Sequence, residues 1–89
     1  MAVVRVRIAS LLHTYTGGAR AVEVEASTVA DALAALDLRF PGLAFGVIDE
    51  QKQIRTHMNI FLGEERVRDL ATPVTTGSEI YIVGALSGG

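Results

Sequence analysis

The residues with the clearest chemical potential are the last two, Gly88 and Gly89. Glycine has no Cβ, so its carbonyl is unshielded and the backbone fits narrow channels at angles closed to other residues. The Gly89 carboxylate is ionised and resonance-stabilised at neutral pH, which makes it a poor electrophile. We therefore predict that Gly89 is the reacting residue, and that its carboxylate must be activated before any nucleophile attacks.

The residues before this pair predict that the diglycine stands at the end of a mobile segment. Residues 84–89 carry neither strand alternation nor helical spacing, so we expect a flexible C-terminal tail. At roughly 3.3 Å per residue it reaches about 20 Å, which predicts that Leu86, Ser87 and Gly88 insert into a partner's active site. The alternative is a frayed terminus or the remnant of a cloned linker, in which case removing both glycines leaves function unchanged.

The remaining sequence offers no second reaction centre. It has no cysteine, hence no disulfide, thiolate metal site or thiol nucleophile. Gly17 and Gly18 lack the spacing of a phosphate-binding loop and predict a turn. His13 and His57 have no metal ligand at a suitable spacing, and no catalytic triad or carboxylate pair can be argued. We predict no catalytic residue, no metal site and no bound cofactor, hence a protein that is not itself an enzyme.

Length and charge limit the class of protein to which the chain can belong. The 89 residues are enough for one domain, 49% are hydrophobic and 20% charged, and the formal net charge is −2. No apolar run approaches the roughly 20 residues of a membrane helix, and no signal peptide is visible. We therefore expect a cytoplasmic protein without membrane or nucleic-acid partners, since phosphate binding requires a basic surface.

Five segments with period-2 or strand-like composition predict the sheet. In the first, Val4, Val6 and Ile8 share one face and Arg5 and Arg7 the other. The predicted strands are Val3–Ile8, Ala21–Glu25, His57–Leu62, Glu65–Arg68 and Glu79–Val83. The first two form a hairpin with a long loop, and Gly63-Glu64 joins the third and fourth.

One main helix is predicted between the second and third strands. Thr28 is its N-cap, Asp31 imitates a capping box, and Pro41-Gly42 ends it. Its apolar stripe consists of Val29, Ala32, Leu33, Leu36 and Phe40. Residues 43–48 predict a short helical turn, and residues 49–53 an exposed loop.

The order β-β-α-β-β-β predicts an α+β domain over residues 1–83. A single helix covers one face of a mixed sheet of four to five strands, because both the helix and the strands have one apolar face. The first and last strands can pair only through their long connection, so they lie parallel at the centre. This is the β-grasp arrangement of ubiquitin-like proteins.

The folded body must also contact a partner. Ordering six tail residues costs about 6 to 12 kcal/mol, at about 1 to 2 kcal/mol each, and so small a tail cannot recover this alone. The predicted docking residues are the outward side chains Arg5, Arg7, Phe61, Tyr81 and Val83. A second arginine pair, Arg66 and Arg68, also shares one sheet face; such pairs are either simply solvated or dock an acidic partner.

Three stretches together resemble the ThiS/MoaD family of ubiquitin-like sulfur carrier proteins. They are the helix start Thr28-Val29-x-x-Ala32-Leu33, the strand Met58–Gly63 followed by Val67-Arg68, and Thr76–Ile80 leading to the terminal Gly88-Gly89. The likeness covers nearly the whole chain. Residues 16–18 and 59–60 are most similar to carriers of O-phosphoserine-dependent cysteine synthesis or to archaeal-type MoaD-like carriers. Many members have prolines before the tail, whereas this chain has Val83–Ser87.

The resemblance implies that a ubiquitin-activating-type enzyme uses ATP and magnesium to adenylate Gly89. Sulfur from a persulfide then replaces AMP, and the resulting thiocarboxylate serves a sulfur-accepting biosynthetic enzyme in cysteine, molybdopterin, thiamine or tRNA thiolation chemistry. Two alternatives use the same tail. One is a protein modifier joined through Gly89 to lysines, and the other is the small subunit of molybdopterin synthase.

Overall fold

The computed structural model describes residues 2–84, which form one sheet and three helices with a 3-10 turn. The elements are β1 (Ala2–Ile8), a 3-10 turn (Ser10–Leu12), α1 (His13–Thr16), β2 (Ala21–Ala26), α2 (Val29–Arg39), α3 (Leu43–Val47), β3 (Met58–Leu62), β4 (Glu65–Val67) and β5 (Glu79–Gly84). None of the helices in this described part is long and apolar enough to cross a membrane. The tail residues Leu86, Ser87, Gly88 and Gly89 lie outside the described residues.

The sheet has the strand order β2-β1-β5-β3-β4. β1 and β5 are parallel neighbours at its centre, with Val6 opposite Ile80, and the other pairs are antiparallel. The predicted α+β, β-grasp arrangement with a mixed sheet is confirmed. The first and last strands therefore lie next to each other inside the sheet, and the long connection between them allows their parallel pairing.

One face of the sheet is buried under α2. Seven inward residues of β1, β3 and β5 are at most 5% exposed and meet the stripe of α2, as the alternation predicts, whereas Leu62 at the end of β3 is half-buried. These residues are Val4, Val6, Ile8, Met58, Ile60, Ile80 and Ile82 from the sheet, and Val29, Ala32, Leu33 and Leu36 from the helix. Phe40 is half-buried against the same core. None of the helices within residues 2–84 covers the opposite face of the sheet.

The start of α2 is fixed by side chains and by a distant loop. The Thr28 hydroxyl accepts a hydrogen bond from the Asp31 amide at 3.1 Å, which confirms the predicted N-cap. The Asp31 carboxylate in turn accepts from the Ser27 amide at 3.2 Å. The amides of Val29 and Ala30 donate to carbonyls of residues 72 and 70, so the otherwise unpaired first-turn donors are satisfied.

The structure differs from the sequence prediction in the loop after β1 and by one residue at one end of each strand. The long loop after β1 is folded into the 3-10 turn and α1, and Leu12 there is 2% exposed. Gly17, with φ 66°, ends α1, which only a residue tolerant of left-handed angles does without strain. Strand β5 also runs one residue further than predicted, because Gly84 pairs with Met58.

Candidate functional site

Strand β5, at the centre of the sheet, is the last described element before the tail. β5 is paired on both sides, to β1 through residues 79–82 and to β3 through residues 80–84. Ile80 and Ile82 are at most 1% exposed, so this strand is anchored by both ladder hydrogen bonds and core packing. Gly84, the last residue of this doubly paired strand, stands five residues before Gly89 in the sequence.

Three of the predicted docking residues form a continuous row on the open face of the sheet. Tyr81 lies opposite Arg7 on one side and opposite Phe61 on the other. The Arg7 guanidinium carbon is 5.9 Å from the centroid of the Tyr81 ring, within range of a cation–π contact. Phe61 and Tyr81 are both half-buried without any helix above them. Two aromatic rings are thus neighbours at the middle of an uncovered surface.

Glu79 connects this row to β1. The Tyr81 hydroxyl donates to Glu79 Oε1 at 2.9 Å, and Arg7 Nε lies 3.5 Å from Glu79 Oε2. The hydrogen bond from Tyr81 is the main cause that holds the pKa of Glu79 below its ordinary value of 4.5, and the positive charge of Arg7 acts in the same direction. Glu79 is consequently ionised at neutral pH and restrains both the tyrosine ring and the arginine.

The other two predicted docking residues lie on either side of the row. Arg5 is opposite Glu79 in register and forms a long ion pair of 3.9 Å with Glu23 of β2. Val83 is opposite Asn59, next to the point where the chain leaves the sheet. All five predicted docking residues therefore belong to one face, but Arg5 and Arg7 are partly neutralised by carboxylates.

Glu79 is the member of this surface that sequence reasoning missed. It stands two residues before Tyr81 in the same strand, so the alternation places both side chains on one face. That spacing is the signal that could have identified it. His13, whose Nε2 lies 3.1 Å from the Ile8 carbonyl oxygen, is half-buried away from this face, and His57 is exposed just before β3.

Within residues 2–84, no three His, Asp or Glu side chains come together in a way that could hold a metal ion. The described surface instead offers aromatic rings, guanidinium groups and one restrained carboxylate. These groups suit recognition of another protein, since aromatic and arginine side chains contribute most of the binding energy at interfaces.

The same fold and sequence pattern occur in known sulfur carriers. The sulfur carrier protein CysO of Mycobacterium tuberculosis (strain ATCC 25618 / H37Rv) is 29% identical over 91 residues, which cover 97% of this chain and 98% of CysO. A chain in the crystal structure of the Amycolatopsis orientalis BexX/CysO complex superposes with a TM-score of 0.90 at 29% identity, covering 97% of this chain and 99% of that one.

A modifier protein has the same architecture. The crystal structure of SAMP1 from Haloferax volcanii matches with a TM-score of 0.84 at 26% identity, over 99% of this chain and 100% of SAMP1. The model of the ThiS family matches residues 6–89, a span that includes Arg7, Phe61, Tyr81 and Val83 of the open sheet face and the diglycine. The resemblance to ThiS/MoaD-type carriers is thereby confirmed: this chain belongs to the ThiS family.

Proposed function

We propose that this protein is a sulfur carrier whose Gly89 carboxylate is converted to a thiocarboxylate and consumed by a biosynthetic enzyme. The observation that carries the proposal is the family match, which runs through residue 89. The alignment to CysO supports it, because it spans 98% of that sulfur carrier. The firmly held β5 adds a structural reason, since it leads directly to the segment that ends in Gly89.

The chemistry requires two proteins besides this one. An adenylating enzyme of the ubiquitin-activating type would join the Gly89 carboxylate to AMP from magnesium-bound ATP and release pyrophosphate. The outer sulfur of a persulfide then attacks the Gly89 carbonyl carbon, and the bond from that carbon to AMP breaks. A second thiol reduces the resulting acyl disulfide, becoming part of a new disulfide itself, and leaves the thiocarboxylate. A sulfur-accepting enzyme finally takes the sulfur.

The role of this chain in that sequence is presentation. An unactivated carboxylate resists nucleophiles, so the energy comes from ATP cleavage in the partner. The open sheet face is the proposed contact for the partners, with Phe61 and Tyr81 at its centre, Arg7 and Arg5 on the β1 side and Val83 towards the tail. Docking through this face would offset the cost of ordering Leu86, Ser87 and Gly88 in a narrow channel.

Alkylation followed by mass spectrometry tests the proposal. The protein is incubated with its adenylating enzyme, ATP and a persulfide donor, then treated with a thiol-selective alkylating reagent. Because the chain has no cysteine, a thiocarboxylate is the expected site of selective labelling. We expect one label on Gly89, located by fragmentation. Intact mass alone is insufficient, since oxidation of Met1 or Met58 adds almost the same mass as exchange of oxygen for sulfur.

Two controls sharpen the result. Omitting ATP should abolish the label, because the carboxylate then remains unactivated. Deleting Gly89 should abolish it as well, while the circular dichroism spectrum stays unchanged, since the deletion removes no residue of the described helices and strands. Equal labelling of the deletion variant, or no label in the intact protein with an adenylating enzyme that binds it, would overturn the proposal.

The match to SAMP1 favours a second candidate function, a protein modifier linked through Gly89 to lysines of target proteins. The same activated carbonyl would then be attacked by an amine, giving an isopeptide bond. Conjugates that survive denaturant and reducing agent in cell extracts, and that yield branched peptides carrying the residues that precede Gly89, are the expected evidence. Only unconjugated protein in such extracts would favour the carrier.

A further inference from the structure

The second arginine pair noted in the sequence lies in a basic groove at the β4 edge of the sheet. The groove has a volume of about 500 Å³ and lies between β4 and the loop of residues 52–56. Its charged lining consists of Lys52, Arg55, Arg66, Arg68 and Asp69. The lysine and the three arginines among them are half of the eight lysines and arginines in a chain whose net charge is −2.

The two arginine pairs differ in their partners. Arg5 and Arg7 are each close to a carboxylate, Glu23 and Glu79. Within residues 2–84 these are the only ion pairs, so the four groove cations have no carboxylate within 4.0 Å there. The acidic groove residue is otherwise engaged, because Asp69 Oδ1 accepts from the Ala71 amide at 2.9 Å.

The loop on one side of the groove is ordered by contacts within the domain. Arg55 Nε donates to the Phe45 carbonyl at 2.7 Å, and its guanidinium stacks 4.5 Å from the Phe45 ring centroid. Lys52 adopts a left-handed φ of 63°, an uncommon conformation for a non-glycine residue, in a turn whose amides donate to Asp49 Oδ1. The Arg55 charge is therefore fixed before any ligand arrives, and the backbone of the turn that carries Lys52 is ordered as well.

The lining also has an apolar part. Met58 and Val67 reach the groove from the core at 1% and 5% exposure, and Ile54 and Leu70 are half-buried in its wall. An occupant that carries both negative charge and an apolar side chain matches this surface. A polynucleotide matches it less well, because Glu64 and Glu65 stand exposed beside Arg66 and the chain as a whole is acidic.

The position of the groove indicates which partner would use it. Met58, in its lining, is paired with Gly84, the last described residue before the tail. Arg66, on the opposite rim, faces Phe61 of the docking row. The groove is thus continuous with both the exit of the tail and the open sheet face.

We infer that this groove binds a short acidic segment, with an apolar residue among its carboxylates, on the enzyme that takes up the tail. The assignment of the partner rests on the proposed function, whereas the binding of an acidic segment does not. Carboxylates of the segment would pair with Arg66, Arg68 and Lys52 while its apolar side chain covers Val67 and Leu70. Opposite charges at such a rim chiefly speed association and fix orientation.

A titration of the isotope-labelled full chain tests the groove directly. The probe is a synthetic peptide of aspartates and glutamates with one central leucine. Amide shifts are expected at residues 52–56 and 66–70. The Arg66→Gln, Arg68→Gln double variant should weaken binding about tenfold, because two charge-assisted contacts are lost. Arg20→Gln with Arg39→Gln changes the net charge equally and should leave the affinity within about twofold, since neither residue lines the groove.

Three results would overturn the inference. These are shifts centred on the Arg5 and Arg7 face, equal weakening by both double variants, or tighter groove binding by an oligonucleotide of the same charge. With the adenylating enzyme, the groove variant should raise the KM for the carrier about tenfold, leave kcat unchanged and differ from the control variant. If Gly89 is labelled but both variants have the same KM, the assigned partner is refuted. If Gly89 is not labelled at all, the proposed function is refuted, and the peptide titration still tests the groove.

Discussion

Truncating Phe61 to alanine should weaken productive docking on the proposed adenylating enzyme. Phe61 is half-buried on a face without a helix, next to Tyr81 and Arg66. If roughly 50 Å² of its ring is exposed in the free protein, burying that area at about 25 cal/mol per Å² contributes about 1 kcal/mol, or about a fivefold change in KM. The value of kcat should stay constant, because the tail and Gly89 are unaltered.

The assay is the rate of Gly89 adenylation, followed as pyrophosphate release at varied carrier concentration. The matched control is Leu38→Ala on α2, which removes an apolar side chain that is 87% exposed on the helical side of the domain. We expect its KM to equal that of the parent protein. The reasoning is refuted if folded Phe61→Ala keeps the parent KM within about twofold, or if Leu38→Ala raises KM as much.

Three further predictions concern stability, measured by urea denaturation. Thr28→Ala should lose about 1 kcal/mol, because the Asp31 amide loses its cap acceptor; an unchanged midpoint would contradict this. Leu36→Ala should lose about 2 to 5 kcal/mol from a site with 0% exposure, and a smaller loss would mean that the core closes around the cavity. At pH values above the ordinary pKa of 4.5, ionised Glu79 stabilises the folded state. This contribution disappears as the pH falls through the lowered pKa of the folded state. Glu79→Gln should therefore lose less free energy of unfolding than the parent protein between about pH 5 and pH 3. If the free energy of unfolding falls equally in both proteins, the assigned hydrogen bond is refuted.

Periodic patterns made most of the fold predictable. Alternation in β1 and the stripe of α2 gave the correct buried faces, because both follow from the geometry of single elements. The parallel pairing of β1 and β5 followed from connection rules, since parallel neighbours must be joined by a long connection.

Features that depend on contacts between distant residues were not predictable. Asp37 Oδ1 accepts from the amides of Gly42 and Ala44, and thereby fixes the start of α3 from the end of α2. The segment of α1 is only four residues long, too short for a helical period to show. At the candidate site, spacing placed Arg7, Phe61 and Tyr81 on one face.

The neutralisation of Arg7 by Glu79, and the gathering of Lys52 and Arg55 beside Arg66, appear only in three dimensions. They depend on strand order and loop conformation, which no local pattern encodes.

The central position of β5 also has a consequence for biosynthesis. On the ribosome, residues 79–84 are made after every other strand, yet both β1 and β3 depend on them for pairing. Until then the nascent chain exposes two unpaired strand edges and the apolar side of α2, a species open to chaperones and to aggregation. Pairings so distant in sequence also make folding slow relative to helical domains. A domain of this topology therefore completes its sheet only after its last strand has been made.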